Sequence, residues 1–403
     1  MRATFSLRLA SLFGLAVAAC GGTSGSPTQQ TGAGAPKADA GAARTADEQW
    51  PVQPGSGLRI DSLGPVPPLP EWPDNPPSEA KRALGLALFA DARLSSSGTV
   101  TCGNCHSPVA DFQSNTPLDL PARSLPGLKP TLPRHTPSLI NLVYANTLHW
   151  DGSESDLFES MVLPFAEANM NLTDVPQGDV WTLDIPAAKR KLYAKLTQEI
   201  PGYAPMFQEA FGADITPTTD QDVWLLAGKA LATYIRIAVS RDAAFDAWNA
   251  GDDAAISDAA KRGFLLFVGK GKCVSCHSGP MFSDYAFHNL SLLARDDAGN
   301  PIDRGRERIT KDPKDLGSFL TPSLRRVNKS SPFFHDGREA VLGRVILRHA
   351  GAAARTDPNH DPLLDQIPEF GIDQISDLIQ FLKSLAGARI PDADLALPVN
   401  LPK

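Results

Sequence analysis

Two short stretches decide the fold of this chain, Cys102-Gly-Asn-Cys-His106 and Cys273-Val-Ser-Cys-His277. In each, two cysteines stand three positions apart, so their thiols can form thioethers to the two vinyl groups of one porphyrin. The imidazole of the next residue can then reach the iron. The pattern predicts two covalently bound c-type haems. The predicted attachment residues are Cys102, Cys105, Cys273 and Cys276, and the predicted proximal iron ligands are His106 and His277.

Three other uses of these four cysteines compete with haem attachment: a redox Cys-x-x-Cys pair, a four-cysteine zinc site and two disulfides. A zinc site would employ all four thiols and leave both adjacent histidines unexplained. The chain has only 8 histidines in 403 residues, so a histidine directly after both pairs is hard to obtain by chance. Haem attachment is therefore the favoured interpretation.

A similar helix precedes each motif. Residues 80–89 read AKRALGLALF and residues 259–267 read AAKRGFLLF. This repetition predicts an internal duplication. Runs that alternate Val or Ile with polar residues are scarce, so the expected class is mainly α. The predicted fold is two cytochrome c-like domains, each with one covalent c-type haem.

Local signals give the bounds of the predicted helices. Ser78 is a plausible N-cap of the first helix, which should end near Asp91. A later helix follows Asp220 and closes the first domain, and residues 245–252 read as a connection. The helix expected to close the second domain carries the apolar residues Ile372, Ile375, Ile379 and Leu382.

The N-terminal segment has the pattern of an export signal. Arg2 and Arg8 flank a positively charged start, and an apolar stretch follows that is too short for a membrane-spanning helix. The tail Val-Ala-Ala-Cys20 resembles a bacterial lipobox, in which the cysteine is acylated. We therefore expect a signal peptide over 1–19 and lipidation at Cys20. The expected location is the periplasm, with a lipid anchor in the bacterial membrane, the outer membrane by preference.

Composition sets the remaining boundaries. A flexible tether rich in Gly, Ala and Pro is predicted for 20–77, haem domains for 78–250 and 251–390, and a tail for 391–403. A hydrophobic content of 42% supports two buried cores. The net charge of -7 and the lack of any basic run disfavour nucleic-acid binding.

The residues that could bind the far side of the second iron are few. The chain has no methionine after Met281 and no tyrosine after Tyr285, so neither type can come from further downstream. An electron carrier needs both irons closed by protein ligands, whereas an enzyme that activates peroxide needs one open iron face. The remaining candidates are His288, His335, His349 and His360.

An ordered set of motifs between residues 78 and 385 resembles the bacterial di-haem cytochrome c peroxidases and their MauG-type relatives. The stretches that carry the resemblance are Asp91-Ala-Arg-Leu-Ser-Ser-Ser-Gly98, Arg134-His-Thr-Pro-Ser-Leu139, His149-Trp-Asp-Gly152, Phe287-His-Asn-Leu290, Thr321-Pro-Ser-Leu-Arg325 and Phe333-Phe-His-Asp-Gly337. The resemblance implies a peroxidatic haem in the first domain and an electron-transfer haem in the second.

The resemblance also implies the distal ligand of the second haem. In these relatives it lies about a dozen positions after the His-Asp-Gly motif, and it is methionine in the peroxidases and tyrosine in MauG. That position is His349 here, which departs from both patterns and predicts a bis-histidine haem. Imidazole stabilises ferric iron more than thioether does and lowers the potential. His335 is the competing candidate.

The first haem is expected to keep an open face. The family peroxidases carry a removable histidine in the loop after the first motif, and residues 107–134 contain none. Peroxide cleavage needs a group that moves a proton between the two oxygens. The family uses a glutamate after the Trp-Asp-Gly segment, for which Glu167 is the nearest match and Glu159 the second choice.

Further roles follow from the resemblance. Trp150 aligns with the tryptophan that relays electrons between the haems. A calcium ion between the domains is a further open expectation. His135 replaces the family's asparagine ligand, so the ion would bind through the backbone of Ser330 and Pro332. For each of three other residues, two interpretations stay open. Arg325 and Arg326 are either partners of haem propionates or solvated surface charges, and His149 is either a propionate donor or a satisfied interior histidine.

The expected activity is reduction of hydrogen peroxide. Its electrons would come from a small periplasmic donor, a cytochrome c or a cupredoxin. A MauG-like enzyme that oxidises side chains of a partner protein is the alternative, and a non-enzymatic di-haem electron carrier is the second alternative. Family peroxidases are often dimers, so a homodimer is compatible with this interpretation, and the only expected membrane contact is the lipid anchor.

Overall fold

The computed structural model describes both motif-bearing parts of the chain. Cys20, the predicted signal peptide and the predicted tether up to residue 62 lie outside the described residues. The described residues are 63–113, 134–167, 170–173, 182–216, 222–350, 355, 357–388, 390–391 and 401–403.

The described residues are mainly helical, which confirms the predicted class. Two short strands, β1 (Phe287–His288) and β2 (Phe319–Leu320), pair antiparallel. No helix among the described residues has the length and apolarity needed to cross a bilayer. The α-helices are α1 (Glu79–Ala90), α2 (Cys102–Cys105), α3 (Leu157–Val162), α4 (Ile185–Ala194), α5 (Tyr203–Phe211), α6 (Val223–Ile235), α7 (Ala244–Asn249), α8 (Asp258–Val268), α9 (Glu307–Thr310), α10 (Leu342–His349) and α11 (Ile372–Ser384).

Short turns of other helix types connect these elements. The segment Lys195–Glu199 is a π-helical turn that extends α4. The 3-10 turns are Ala92–Leu94, Pro108–Ala110, Leu142–Tyr144, Leu163–Phe165, Cys273–Ser275, Pro313–Asp315, Val327–Lys329 and Pro362–Gln366.

Each half is built on one close helix pair. In the first, α1 crosses α6 at Gly85, where an added Cβ would lie 2.1 Å from the carbonyl oxygen of Ala230. In the second, α8 crosses α11 at Gly263, where an added Cβ would lie 2.0 Å from the carbonyl oxygen of Asp377. Only glycine allows backbones to approach this closely. The same device in both halves supports the predicted duplication.

The loops repeat as well as the helices. The sequence Thr-Pro-Ser-Leu occurs at 136–139 and at 321–324, and each copy precedes a 3-10 turn. At the same spacing, the bridge between Leu148 and Glu154 corresponds to the bridge between Phe333 and Glu339. His149 and Phe334 then occupy equivalent places with φ of 65° and 69°. Helix α3 corresponds to α10 in this register.

Two separate hydrophobic clusters form the core. The first contains α1 and α6, and the second contains α8 and α11. Residues 245–252 were expected to be a connection, and this expectation was wrong: most of α7 falls there, and Phe245 and Trp248 are buried in the second cluster. Phe245 packs edge-on against Phe282 and Phe381, with ring centroids 5.2 and 5.7 Å away. Aromatic burial therefore places α7 with the second half, ahead of the predicted boundary at residue 250.

The predicted flexible tether does not extend through residues 63–77. Leu63 is buried in the second cluster, and Trp72 packs edge-on against Phe158 at 5.4 Å. Asn75 is fully buried and its amide donates to the carbonyl of Lys229 at 3.0 Å. Packing and hydrogen bonds fix this proline-rich arm, which composition alone could not reveal.

The structure confirms the predicted N-cap of α1 and differs from the sequence-based expectation for α6 and α11. Ser78 caps α1 as predicted, with its hydroxyl accepting from the Lys81 amide at 3.2 Å. The cap of α6 is Asp222, whereas the expected Asp220 lies outside the described residues. Ile372 was expected on the buried face of α11, but its side chain is 83% exposed and the helix buries Leu378, Phe381 and Leu382.

Candidate functional site

The first cavity surrounds the first Cys-x-x-Cys-His motif. Thr101 caps α2, with its hydroxyl accepting from the Asn104 amide at 3.1 Å, and this cap fixes the turn that carries Cys102 and Cys105. One part, here called the apolar compartment, contains about 1520 Å³ of empty space that is partly open to solvent. An adjoining part, here called the acidic compartment after its carboxylates Glu154 and Glu167, is also lined by Arg134 and Arg308.

His106 lines both compartments. Its Nδ1 lies 3.2 Å from the carbonyl oxygen of Phe112 and must donate to it, since a carbonyl can only accept. Burial lowers the pKa of His106 to about 4, so the ring is neutral at pH 7. The Nε2 lone pair is then available to a metal, which is the arrangement found for histidine ligands.

The second cavity repeats this arrangement around the second motif. It contains about 1430 Å³ of empty space and is lined by Cys273, Cys276 and His277. The Nδ1 of His277 donates to the carbonyl of Phe282 at 3.0 Å, and burial lowers its pKa to about 4. The equivalent of Phe112 is Phe282, and both residues are fully buried with φ of 53°.

His349 faces His277 across the second cavity. The two ring centroids are 6.5 Å apart, and burial lowers the pKa of His349. Its Nδ1 donates to the carbonyl of Val345 at 2.8 Å, which leaves Nε2 for a metal. Two metal–imidazole bonds of about 2 Å each, together with the distance from each nitrogen to its ring centre, need a gap of roughly 6 Å. The pair therefore fits one iron.

His335, the competing candidate, does not face His277 in this way. Its ring stacks flat on Phe319, with centroids 3.5 Å apart and an angle of 8° between the planes. Burial lowers the pKa of His335 to about 4. Stacking orients the ring along the wall of the second cavity, so the geometry favours His349 as the facing imidazole.

The thiols suit the porphyrin better than the competing uses. The pairs line different cavities, so no four-cysteine site forms among these residues, and all four thiols are free. Burial raises the pKa of Cys102 and of Cys273 to about 12, and of Cys105 to about 11. Apolar cavities with a neutral imidazole and two thiols fit covalent haem.

Trp150 lies between the two cavities and lines both. Its indole Nε1 donates to the carbonyl of His135 at 2.8 Å, and its carbonyl accepts from the amide of Leu320 at 2.9 Å. These bonds join segments from both halves and hold the ring in place. The role of Trp150 between two haems stays a prediction.

No histidine stands at the position of the first cavity that corresponds to His349. In the register set by the repeat, Pro164 takes the place of His349, and Pro164 lines both compartments. Glu167 follows one turn later and lines the acidic compartment with His106. Glu159 accepts a hydrogen bond from the indole of Trp224 at 2.8 Å and lines neither compartment. Of the two glutamates, geometry favours Glu167.

A buried ion cluster beside Trp150 was missed in the sequence. The Asp151 carboxylate is fully buried, 2.8 Å from Arg134 Nη1 and 2.6 Å from Arg308 Nη2. Arg134 also binds Asp303 at 2.6 Å. Burial alone would raise the pKa of Asp151, but the two guanidinium groups outweigh it and lower the pKa to about 2. No local pattern could pair residues this far apart in sequence.

This cluster predicts acid sensitivity. Asp151→Asn is expected to cost about 3 kcal/mol of unfolding free energy at pH 7, because the guanidinium groups of Arg134 and Arg308 both lose the charge of a fully buried carboxylate. The lowered pKa means that the wild-type advantage is present above about pH 4 and is lost as the pH falls toward 2. Denaturant titrations at pH 7 and pH 3 measure it, with exposed Asp297→Asn as the control. An equal loss at both pH values would contradict the assignment.

Burial excludes one of the two interpretations of Arg325 and Arg326 that the sequence left open. Both side chains are buried, so they are not solvated surface charges. Arg325 forms a bidentate pair with Asp246 at 2.8 Å, and Arg326 donates to Asp111 at 2.6 Å. The Nε of Arg326 is buried without a hydrogen-bond partner among the described residues, so the propionate interpretation stays a prediction.

His149 is a satisfied interior histidine, the second of its two expected roles. Its ring nitrogens lie 3.1 Å from Ser153 Oγ and 3.0 Å from Ser160 Oγ.

The calcium expectation stays a prediction. Ser330 and Pro332 line the first cavity, and the Ser330 hydroxyl donates to the carbonyl of Arg326 at 3.3 Å.

The described residues contain one cluster with metal-ligand spacing, Cys276, Asp284 and His288. His288 Nε2 lies 3.0 Å from Asp284, and Nδ1 contacts Asp361. Hydrogen bonds to Asp284, Cys276 and Asp361 raise the pKa of His288 to about 11. Cys276 belongs to the second motif, so we do not interpret the cluster as a separate metal site. Its raised pKa makes His288 a cation at the wall of the second cavity.

Comparison with known proteins gives consistent matches. The pattern of the family described as di-haem cytochrome c peroxidase matches residues 79–254. Cytochrome-c peroxidase IdrP1 of Denitromonas iodatirespirans is 34% identical, over 81% of this chain and 87% of that protein. Methylamine utilization protein MauG of Methylophilus methylotrophus is 35% identical, over 80% of this chain and 87% of that protein.

Solved structures share the fold. A MauG-like protein associated with microbial copper homeostasis superposes with a TM-score of 0.67 at 27% identity, covering 83% of this chain and 97% of that one. The diheme peroxidase BthA from Burkholderia thailandensis E264 superposes with a TM-score of 0.60 at 21% identity, covering 80% and 91%. The second likeness concerns the fold alone.

Proposed function

The chain belongs to the di-haem cytochrome c peroxidase family, and on that premise we propose that it reduces hydrogen peroxide in its first cavity with electrons that enter at the second. Relatives named cytochrome-c peroxidase and MauG cover 81% and 80% of the chain, so it is a peroxidase-type haem oxidoreductase. One observation carries the assignment of the two cavities: His349 faces His277 in the second, and Pro164 takes its place in the first.

The residues of the two motifs hold the haems in this proposal. Cys102 and Cys105 would hold the first haem through thioethers, and His106 would bind its iron. Cys273, Cys276 and His277 do the same in the second cavity, with His349 as the facing ligand. When bound, the first haem would supply the cleavage of the O–O bond and the second would supply electron transfer.

The first cavity supplies space and a proton carrier. Pro164 offers no donor atom to a metal, so peroxide has room on the face opposite His106. Glu167 takes a proton from the near peroxide oxygen and returns it to the far one, which leaves as water. Overall one peroxide, two electrons and two protons give two waters. Trp150 relays the electrons, as its place in the walls of both cavities supports.

Mixing the as-isolated ferric protein with peroxide tests the proposal directly. An immediate spectral change of the first haem without prior reduction is expected. A protein in which both irons are low-spin and inert to peroxide would instead be an electron carrier, and the proposed function would fail.

Glu167→Gln is expected to slow the reaction with peroxide by about 10²-fold, because the amide cannot move a proton between the oxygens. Stopped-flow absorbance measures the bimolecular rate constant. Glu159→Gln is the matched control, since that carboxylate binds Trp224 outside the cavity. A rate for Glu167→Gln equal to that of the control would remove Glu167 from the mechanism.

A MauG-like activity is the second candidate. The loop after the first motif lacks the removable histidine of the peroxidases, and MauG of Methylophilus methylotrophus is 35% identical. In this case the electrons come from side chains of a partner protein instead of a cytochrome c or cupredoxin. Co-purified proteins that acquire oxidised side chains only when peroxide is added would favour it, and turnover with a small cytochrome donor alone would oppose it.

The location is also a proposal. The signal pattern over 1–19 and the lipobox cysteine support export to the periplasm and a lipid anchor at Cys20. Fatty-acid labelling of the wild type, with Cys20→Ala as the unlabelled control, tests the anchor. A wild-type protein without label would contradict it.

A further inference from the structure

A short hydrogen-bonded chain connects the two compartments of the first cavity. Ser153 Oγ lies 3.1 Å from His149 Nδ1, and His149 Nε2 lies 3.0 Å from Ser160 Oγ. Ser153 lines the acidic compartment, Ser160 lines the apolar compartment, and His149 lines both. The hydroxyl of Ser160 belongs to a side chain only 3% exposed. The three residues therefore form a path of polar atoms through the wall of the cavity.

The partners of His149 differ in kind from those of the predicted iron ligands. His106, His277 and His349 each donate Nδ1–H to a backbone carbonyl, which fixes one tautomer. The His149 ring lies between two hydroxyls, and a hydroxyl can donate or accept. The ring can therefore take a proton at one nitrogen and release one from the other.

The second half of the chain is an internal control. In the register of the repeat, Phe334 replaces His149, Arg338 replaces Ser153 and Val345 replaces Ser160. The backbone is the same, because His149 and Phe334 have φ of 65° and 69° and the flanking bridges correspond. The fold thus does not require this chain of hydroxyls and imidazole. It is present only in the half whose cavity lacks a facing histidine.

We propose that Ser153, His149 and Ser160 form a proton relay that supplies the reaction of peroxide in the first cavity. The inference rests on the proposed function, since reduction of one peroxide to two waters consumes two protons. The acidic compartment is the source, because Glu154 lies there beside Ser153 and burial raises its pKa. Glu167 shuttles a proton between the two peroxide oxygens, whereas the relay carries further protons from the acidic compartment to Ser160.

One passage through the relay balances as follows. The Ser160 hydroxyl gives its proton to the reacting oxygen and takes the proton from His149 Nε2. His149 Nδ1 takes the proton of Ser153, and Ser153 takes one from the acidic compartment. One proton has moved inward and the chain has its original charge. A half-turn of the ring about its Cβ–Cγ bond then turns the protonated nitrogen toward Ser160, and the relay can carry the next proton.

Replacements of His149 test the relay. His149→Phe introduces the side chain of the equivalent residue, and His149→Asn keeps hydrogen-bonding groups in a residue that tolerates positive φ. Both are expected to slow the peroxide reaction by about 10²-fold and to raise the solvent deuterium isotope effect, because proton delivery becomes the slow step. Haem content and the spectrum of the second haem should not change.

Two shape-matched variants of Ser160 separate proton transfer from packing. Ser160→Val introduces the residue found at the equivalent position and removes the hydroxyl, and Ser160→Thr has the same shape and keeps it. The relay predicts a slow reaction for valine and recovery of most of the rate for threonine. Equal rates for the two variants, fast or slow, overturn the relay, as does a wild-type isotope effect in His149→Phe. Failure of the proposed function can be told apart from failure of the relay, because the wild type itself would then not react with peroxide.

Discussion

Pro164→His is expected to abolish most of the reaction with peroxide. Pro164 occupies the place that His349 takes in the second half, and it lines the first cavity with His106. A histidine there can face His106 as His349 faces His277 at 6.5 Å. The first haem should become low-spin in the ferric state. The bimolecular rate constant should fall about 10³-fold, equivalent to about 4 kcal/mol of activation free energy.

Pro164→Ala is the matched control for this experiment, because it removes the proline ring and adds no metal ligand. It should keep a first haem that changes its spectrum on contact with peroxide. Ferric absorption spectra report the spin state, and stopped-flow mixing reports the rate. A low-spin first haem in the wild type, or an unchanged rate in Pro164→His with full haem content, would show that the repeat register does not place residue 164 over the iron.

His349→Met is expected to raise the reduction potential of the second haem. Thioether donates less strongly than imidazole and favours the ferrous state, so the shift should be roughly 0.1–0.2 V within the range of about 0.8 V that axial ligands cover. The variant restores the ligand type of the peroxidases, which the sequence lacks at this position. A higher potential eases entry of an electron and weakens its onward transfer to the first haem.

Potentiometric titration of the two haems measures this shift. Leu347→Met places the same side chain on α10 at a residue that is 49% exposed, so it should leave both potentials unchanged. His349→Ala should give a high-spin second haem, because no other described histidine faces His277 across the cavity in the same way. An unshifted potential in His349→Met would exclude His349 as a ligand.

Local chemistry explains which parts of the fold the sequence predicted. The α1 helix was predicted from its cap at Ser78 and its apolar spacing, both of which act within a few residues. The α7 helix was missed because Phe245 and Trp248 form only part of a helical pattern and gain their stability from distant rings. Ile372 fits the apolar spacing of α11, but no neighbour covers the first turn of that helix. Periodicity cannot tell which turns of a helix are packed.

The same distinction applies to the functional site: residues close together in sequence were predicted, and contacts between distant residues were not. Cys102, Cys105 and His106 act within one turn of chain, so their spacing was sufficient to predict a haem site. The carboxylate partners of Arg325 and Arg326, which are Asp246 and Asp111, were not predicted because they are remote in sequence. The cluster of Asp151 with Arg134 and Arg308 was missed for the same reason.

The sequence by itself determined the two haem motifs, the duplicated helices and the family, because thioether spacing and helical periodicity are properties of neighbouring residues. Only the tertiary structure decided which imidazole faces His277, that Pro164 stands in the corresponding place of the first half, and that His149 joins two serines through the cavity wall. These relations depend on how segments far apart in the chain pack together. The packing sets the distances and directions on which metal ligation and proton transfer depend.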